Sequence, residues 1–191
     1  FNHDGYKDIV VLAPFYGWAY QSTPSRGKVY VYYCGPGFNS STPPALTLEG
    51  EYPNGNGRKI GVVRNVGDVN GDGFDDLFIT DGIPNQAGSV RYMYFFGDNL
   101  DLCSPDLIEI PSANHSFVEH STLGDIDGDG YDEIGIRYSE GVFKFDIMWG
   151  GTFERQLILE GEGSPSYYSG MRRIGDINND GYDDYMICGY H

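Results

Sequence analysis

One acidic decapeptide recurs along the chain and organises everything between its copies. Residues 67–76 read GDVNGDGFDD, residues 124–133 read GDIDGDGYDE, and residues 175–184 read GDINNDGYDD. A beheaded fourth copy, FNHDGYKD, occupies residues 1–8. Counted from the Asp before the shared Gly, the copies fall at Asp4, Asp72, Asp129 and Asp180, with separations of 68, 57 and 51 residues. Repeats of this size build architectures in which each unit buries its apolar face only against its neighbours.

The segments between copies are patterned too. Each acidic loop runs into an apolar stretch: Ile9-Val10-Val11-Leu12, Leu77-Phe78-Ile79, Ile134-Gly135-Ile136 or Tyr185-Met186-Ile187. A glycine-led aromatic run follows in the three full periods, starting at Gly27, Gly88 and Gly141. Next come Ala45-Leu46-Thr47-Leu48, Leu107-Ile108-Glu109-Ile110 or Gln156-Leu157-Ile158-Leu159, and a last stretch such as Ile60-Gly61-Val62-Val63 leads into the next loop. Runs rich in β-branched and aromatic residues, bounded by Gly, Pro, Asn and Asp, predict strands joined by turns. No stretch of twelve residues keeps a helical apolar period. The expected fold is all-β, built of β-propeller blades of four antiparallel strands in an incomplete arc. The 191 residues form one domain with periods of about 1–67, 68–124 and 125–175 and a partial fourth over 176–191.

The loop itself predicts a cation site. In the second copy Asp68, Asn70 and Asp72 alternate at positions 1, 3 and 5, a Gly at position 6 supplies the sharp turn, and Asp76 stands at position 9. Position 7 would offer its backbone carbonyl and leave its side chain to pack; it is always aromatic, as Tyr6, Phe74, Tyr131 and Tyr182. Position 9 is always acidic, as Asp8, Asp76, Glu133 and Asp184. Hard oxygens without paired His or Cys select Ca²⁺ over zinc or copper. An EF-hand shares the opening but needs a bidentate Glu at position 12 between helices. Position 12 here is Ile79, Ile136 or Ile187, in predicted strands.

Composition narrows the function. The chain carries 28 Asp and Glu against 12 Lys and Arg, a formal charge of −16, which argues against a nucleic-acid partner. Hydrophobic content of 40% and aromatic content of 15% argue against a disordered acidic tail. No run of 18 apolar residues predicts membrane insertion. The opening Phe1-Asn2-His3-Asp4 is neither a signal peptide nor an initiator Met, so a piece of a longer chain is expected. Cys34, Cys103 and Cys188 leave one thiol over after any pairing, and Cys188, in an apolar run, reads as a small core residue. Sequons at Asn39-Ser40-Ser41 and Asn114-His115-Ser116 favour a secreted glycoprotein.

The repeat resembles the FG-GAP repeat of the integrin α-subunit β-propeller, over the whole chain. The family's Phe-Gly position holds Ile60-Gly61, Phe117-Val118 and Tyr168-Ser169 here. Its Gly-Ala-Pro position holds Leu12-Ala13-Pro14 and, more loosely, Gly82-Ile83-Pro84, and its third strand is nearly verbatim at Gly27-Lys28-Val29-Tyr30-Val31-Tyr32. The resemblance implies calcium ligands at Asp68, Asn70, Asp72, Asp76 and the carbonyl of Phe74; at Asp125, Asp127, Asp129, Glu133 and the carbonyl of Tyr131; and at Asp176, Asn178, Asp180, Asp184 and the carbonyl of Tyr182. The first copy keeps Asn2, Asp4, the carbonyl of Tyr6 and Asp8, and is expected to bind weakly, because its first Asp would precede residue 1. Glu133 departs from the family's Asp. Family propellers close with about seven blades, so further blades or another chain are expected to complete this arc.

The leading functional expectation is a non-catalytic, calcium-binding extracellular module for recognition, adhesion or scaffolding. Its protein or glycan ligand would be read by loops such as Pro14 to Arg26, with Phe15, Tyr16, Trp18 and Tyr20. Two alternatives stand beside it: a structural subunit of an extracellular filament or surface layer, and the propeller portion of a carbohydrate-active enzyme such as a polysaccharide lyase. The enzyme would need a convergent base beside a cation or Arg. His3, His115, His120 and His191 are scattered and read as surface loop residues, and no nucleophile-elbow or zinc-protease motif occurs.

Overall fold

A computed structural model describes residues 1–17, 26–50, 60–81, 91–94, 107–109, 116–139, 142–161 and 168–189. These form thirteen strands and no helix: β1 (Ile9–Ala13), β2 (Lys28–Tyr32), β3 (Leu46–Glu49), β4 (Ile60–Gly67), β5 (Asp76–Asp81), β6 (Arg91–Tyr94), β7 (Leu107–Glu109), β8 (Ser116–Gly124), β9 (Glu133–Ser139), β10 (Phe143–Met148), β11 (Arg155–Glu160), β12 (Tyr168–Gly175) and β13 (Asp184–Gly189). All pairings are antiparallel between sequence neighbours, giving sheets β1-β2-β3, β4-β5-β6-β7, β8-β9-β10-β11 and β12-β13. Among the described residues, no helix is long and apolar enough to cross a membrane.

The sheets are out of phase with the sequence periods by one strand. The run at Ile60, which closes a period in the sequence, opens a sheet in the fold. The reason lies in the loop: β4 pairs β5 across it with Gly67 opposite Asp76, and β8 and β12 repeat this with Gly124 opposite Glu133 and Gly175 opposite Asp184. Each of the three full acidic loops is therefore a hairpin connection inside a blade.

Alternation along the strands decides which side chains go in. In β2, Val29 and Val31 are buried while their neighbours are half-buried. Three apolar clusters sit between consecutive sheets. The first joins Val29, Val31 and Leu48 to Ile60, Leu77 and Ile79; the second joins Val66, Val69 and Phe78 to Ile134, Ile136 and Met148; the third joins Leu123, Phe145 and Ile147 to Met171. Each fully buried Ile, Leu or Phe contributes roughly 1.5–3 kcal/mol. Stacked sheets with cores between successive pairs are the packing of propeller blades.

Antiparallel order also sorts the connections onto two rims. The acidic loops share one rim with the β2–β3 and β10–β11 hairpins, and the C-terminal ends of β1, β5 and β9 point to the other. On that far rim Phe15 is 71% exposed, and Lys28 Nζ sits 4.5 Å from the centre of the Tyr16 ring. Trp18 and Tyr20 lie outside the described residues.

Candidate metal centre

Each full acidic loop curls around its first aspartate. Asp68 Oδ1 accepts hydrogen bonds from the amides of Gly71 (2.8 Å) and Asp72 (3.0 Å), and its Oδ2 from Gly73 (2.8 Å). Asp125 is held by Gly128 and Gly130, and Asp176 by Asp180 and Gly181. Position 5 in turn accepts the amide of position 7, at 2.9–3.0 Å in all four copies: Tyr6 to Asp4, Phe74 to Asp72, Tyr131 to Asp129 and Tyr182 to Asp180. The alternation of short acidic side chains and glycines thus converges oxygens toward one centre.

Position 3 separates the copies. Where it is Asn, its amide nitrogen donates to the position-5 carboxylate: Asn2 to Asp4 (2.9 Å), Asn70 to Asp72 (3.1 Å) and Asn178 to Asp180 (2.9 Å). In the third copy position 3 is Asp127, which has no such donor. There the ligand atoms of Asp125, Asp127 and Glu133 lie within 4.8 Å of one another, the one such trio among the described residues. Asp129 is outside that trio, and the carboxylates of the second and fourth copies do not form one.

Position 9 is doubly anchored. A position-2 amide donates to it in the three full copies, Val69 to Asp76 (3.1 Å), Ile126 to Glu133 (2.9 Å) and Ile177 to Asp184 (2.9 Å), and in the first copy the Phe1 ammonium pairs with Asp8 (2.9 Å). A second amide, from the residue two beyond β2 or β10, reaches the other oxygen: Cys34 to Asp8 and Gly150 to Glu133. Glu133 and Asp76 are fully buried. The longer side chain of Glu133 thus makes the same two bonds as the Asp of the first copy. Burial pushes the Glu133 carboxyl up to about 7, against the two amide bonds that lower it, and the charges of Asp127 and Asp129 add to the rise. A buried carboxylate beside two others is an environment that a divalent cation neutralises. The donor set, all oxygen, fits a hard cation of the Ca²⁺ kind.

Position 8, unremarked in the sequence, ties the loops to each other. Asp132 Oδ2 accepts the amide of Asp68 (2.9 Å), while the Asp132 amide donates to the Asp68 carbonyl (2.8 Å). The amide of Asp183 donates likewise to the Asp125 carbonyl (3.0 Å), and Arg173 pairs with the Asp183 carboxylate at 2.7 Å. The signal was present, as an Asp at position 8 of each full copy, but the Asp132 carboxylate points at the preceding blade, while Asp75 accepts from Asn65 (2.7 Å) and Asp183 pairs with Arg173 in their own blades.

Position 7 makes a second inter-loop contact, with position 4 of the preceding copy. Position 4 is left-handed throughout, at His3 (φ 56°), Gly71 (76°), Gly128 (80°) and Asn179 (61°). Tyr131 lies over Gly71 and Tyr182 over Gly128, so closely that an added methyl at either glycine would meet the ring. Phe74 stacks at a tilt on the His3 ring, centroids 5.5 Å apart. The expectation that His120 is a surface loop residue is wrong: it lies in β8, 4% exposed, stacked on Phe78 at 4.0 Å between two sheets. His115 and His191 lie outside the described residues.

Fold and site together define an all-β chain of propeller blades strung on acidic hairpin loops. No family model matches the chain. It is similar to integrin alpha-5 of Xenopus laevis, 32% identical over 63% of this chain and 14% of that protein. It is also similar to integrin alpha-3 of Cricetulus griseus and integrin alpha-IIb of Mus musculus, 27% and 29% identical, each over 70% of this chain and 13% of the relative. The chain thus spans about one seventh of the length of these relatives, and its likeness to them is that of an FG-GAP, integrin-like propeller region.

Proposed function

We propose that this chain is part of an extracellular adhesion or recognition propeller whose acidic loops hold structural Ca²⁺. The observation that carries the reading is the convergence of Asp125, Asp127 and buried Glu133 in a loop whose architecture recurs in every copy. Ca²⁺ would supply charge neutralisation. The ligands proposed are Asp68, Asn70, Asp72, Asp76 and the Phe74 carbonyl; Asp125, Asp127, Asp129, Glu133 and the Tyr131 carbonyl; and Asp176, Asn178, Asp180, Asp184 and the Tyr182 carbonyl. Asn2, Asp4, Asp8 and the Tyr6 carbonyl form a fourth set.

Because consecutive loops are joined at positions 7 and 8, fixing one loop constrains the next, and the rigid stack presents the far-rim connections. Phe15 and Tyr16 on that rim are the surface offered to a protein or glycan ligand. The inter-loop series also fits continuation: Tyr6 at position 7 is 53% exposed, and Asn179 at position 4 is exposed. Both suit a further copy of the repeat, from added blades or from another chain. The similarity to integrin α subunits supports an adhesion-type setting.

Isothermal titration with Ca²⁺ and Mg²⁺ on chelator-treated protein tests the reading. Saturable Ca²⁺ binding at the millimolar or tighter affinity of extracellular modules is expected, with Mg²⁺ weaker. Absence of Ca²⁺ binding at several millimolar would overturn it.

A further inference from the structure

The β2–β3 hairpin carries an acidic-loop-rim feature that no cation accounts for. Its tip, residues 36–41, is exposed, and it includes the sequence Asn39-Ser40-Ser41. Asn39 organises this tip. Its amide donates to Thr42 Oγ1 (3.0 Å), its carbonyl accepts the Thr42 amide (3.0 Å), and its side-chain Oδ1 accepts the Ser41 amide (2.9 Å). The last bond is an Asx-turn, which holds the hydroxyl residue two positions on beside the Asn side chain. Asn39 Nδ2 uses one of its two hydrogens on the Gly37 carbonyl (2.8 Å).

We infer that Asn39 is an acceptor of an N-linked glycan, an inference that rests on the extracellular reading above. An acceptor needs the Asn-x-Ser sequence on an exposed loop. The Asn39 tip has both, with the hydroxyl residue held beside the Asn side chain. Transfer would join Nδ2 to the anomeric carbon of an oligosaccharide supplied as its lipid-linked diphosphate. The carbon–oxygen bond to the diphosphate breaks, the lipid diphosphate leaves with the electron pair, and Nδ2 gives up one proton.

Placement gives the glycan a consequence. The amide of Cys34, at the base of this hairpin, bonds Asp8, and Gly35 lies beside the Tyr6 ring. The sugar therefore stands on the acidic-loop rim of the first blade. It covers that rim and leaves the Phe15 rim open to a ligand.

The chain, secreted from cultured animal cells behind a leader peptide, is digested and mapped by mass spectrometry before and after peptide-N-glycosidase. The expected result is a glycan on most Asn39-containing peptides, lost in Asn39→Gln and Ser41→Ala and kept in Ser40→Ala. Mapping peptides separates this from any modification at Asn114. Secreted, folded protein with Asn39 unmodified overturns the inference. A glycan at Asn39 on the secreted chain, with the native protein confined to the cytoplasm of its source, would support the acceptor geometry and overturn the extracellular reading instead.

Discussion

Asp68 and Asp132, 64 residues apart, are joined twice: the Asp68 amide donates to the Asp132 carboxylate, and the Asp132 amide donates to the Asp68 carbonyl. The pair couples the turn that begins one acidic loop to the last turn of the next. Asp132 is partly buried, and burial raises its carboxyl pKa while the Asp68 amide lowers it. Its place is structural, since its carboxylate reaches the neighbouring blade.

Asp132→Ala should therefore destabilise the protein by about 1–3 kcal/mol, the cost of leaving a part-buried amide without its acceptor. Asp132→Asn keeps an acceptor oxygen and should cost less. Urea denaturation in cation-free buffer reads both, and equal midpoints for wild type and Asp132→Ala would refute the coupling.

A second pair of variants isolates the aromatic contact between loops. Gly128 and Gly130 both have positive φ, so Ala at either costs roughly 1–2 kcal/mol in backbone strain. Only at Gly128 would the new methyl meet a neighbour, the Tyr182 ring; at Gly130 it meets open space. Gly128→Ala should be worse by a further 1–3 kcal/mol or so, typical of overpacking. Adding Tyr182→Ala to Gly128→Ala should recover part of that excess. Thermal melts of the three proteins decide it, and identical losses at the two glycines would sink the contact.

Much of this was legible in the sequence because periodicity is one-dimensional. The blade strands, the loop ladder and the packing role of position 7 all repeat in register. Two features were not. The blade boundary falls before the Ile60 run because pairing, absent from any single strand's composition, closes Gly67 on Asp76 across the loop. Asp132, at position 8, contacts Asp68 one whole period away, so its spacing marks no partner. His120 misled for a related reason: a lone polar residue in a short run carries no sign that Phe78 of another sheet will cover it.

Cation removal tests the loops as a set. A ligand that binds only the folded state at 100 times its dissociation constant stabilises by about 2.7 kcal/mol per site. For a chain of this size each kcal/mol shifts the melting temperature by about 2–4 °C. Melting at a Ca²⁺ concentration 100 times the dissociation constant found by titration should thus exceed melting in excess chelator by about 5–10 °C for even one occupied site. An unchanged melt would remove structural metal from the reading.

The sharpest test is Asp127→Asn, because it should move stability and affinity in opposite directions. In the other three copies an Asn at position 3 donates to the position-5 carboxylate, as Asn70 does to Asp72 at 3.1 Å. In the third loop Asp127 and Asp129 meet without that donor, and both add to the charge around buried Glu133. With chelator present, Asp127→Asn should relieve this repulsion and restore the amide bond, stabilising the fold by about 0.5–1.5 kcal/mol. With Ca²⁺ present, the same change removes one anionic ligand from the trio, and affinity follows the number of charged ligands. Terbium luminescence or calorimetry should then show binding at this loop weaker by roughly tenfold, since 1.4 kcal/mol of lost attraction is a factor of ten. If Asp127→Asn lowers stability in chelator as well, the loop is held by Asp127 itself, and the cation is not what its charge is for.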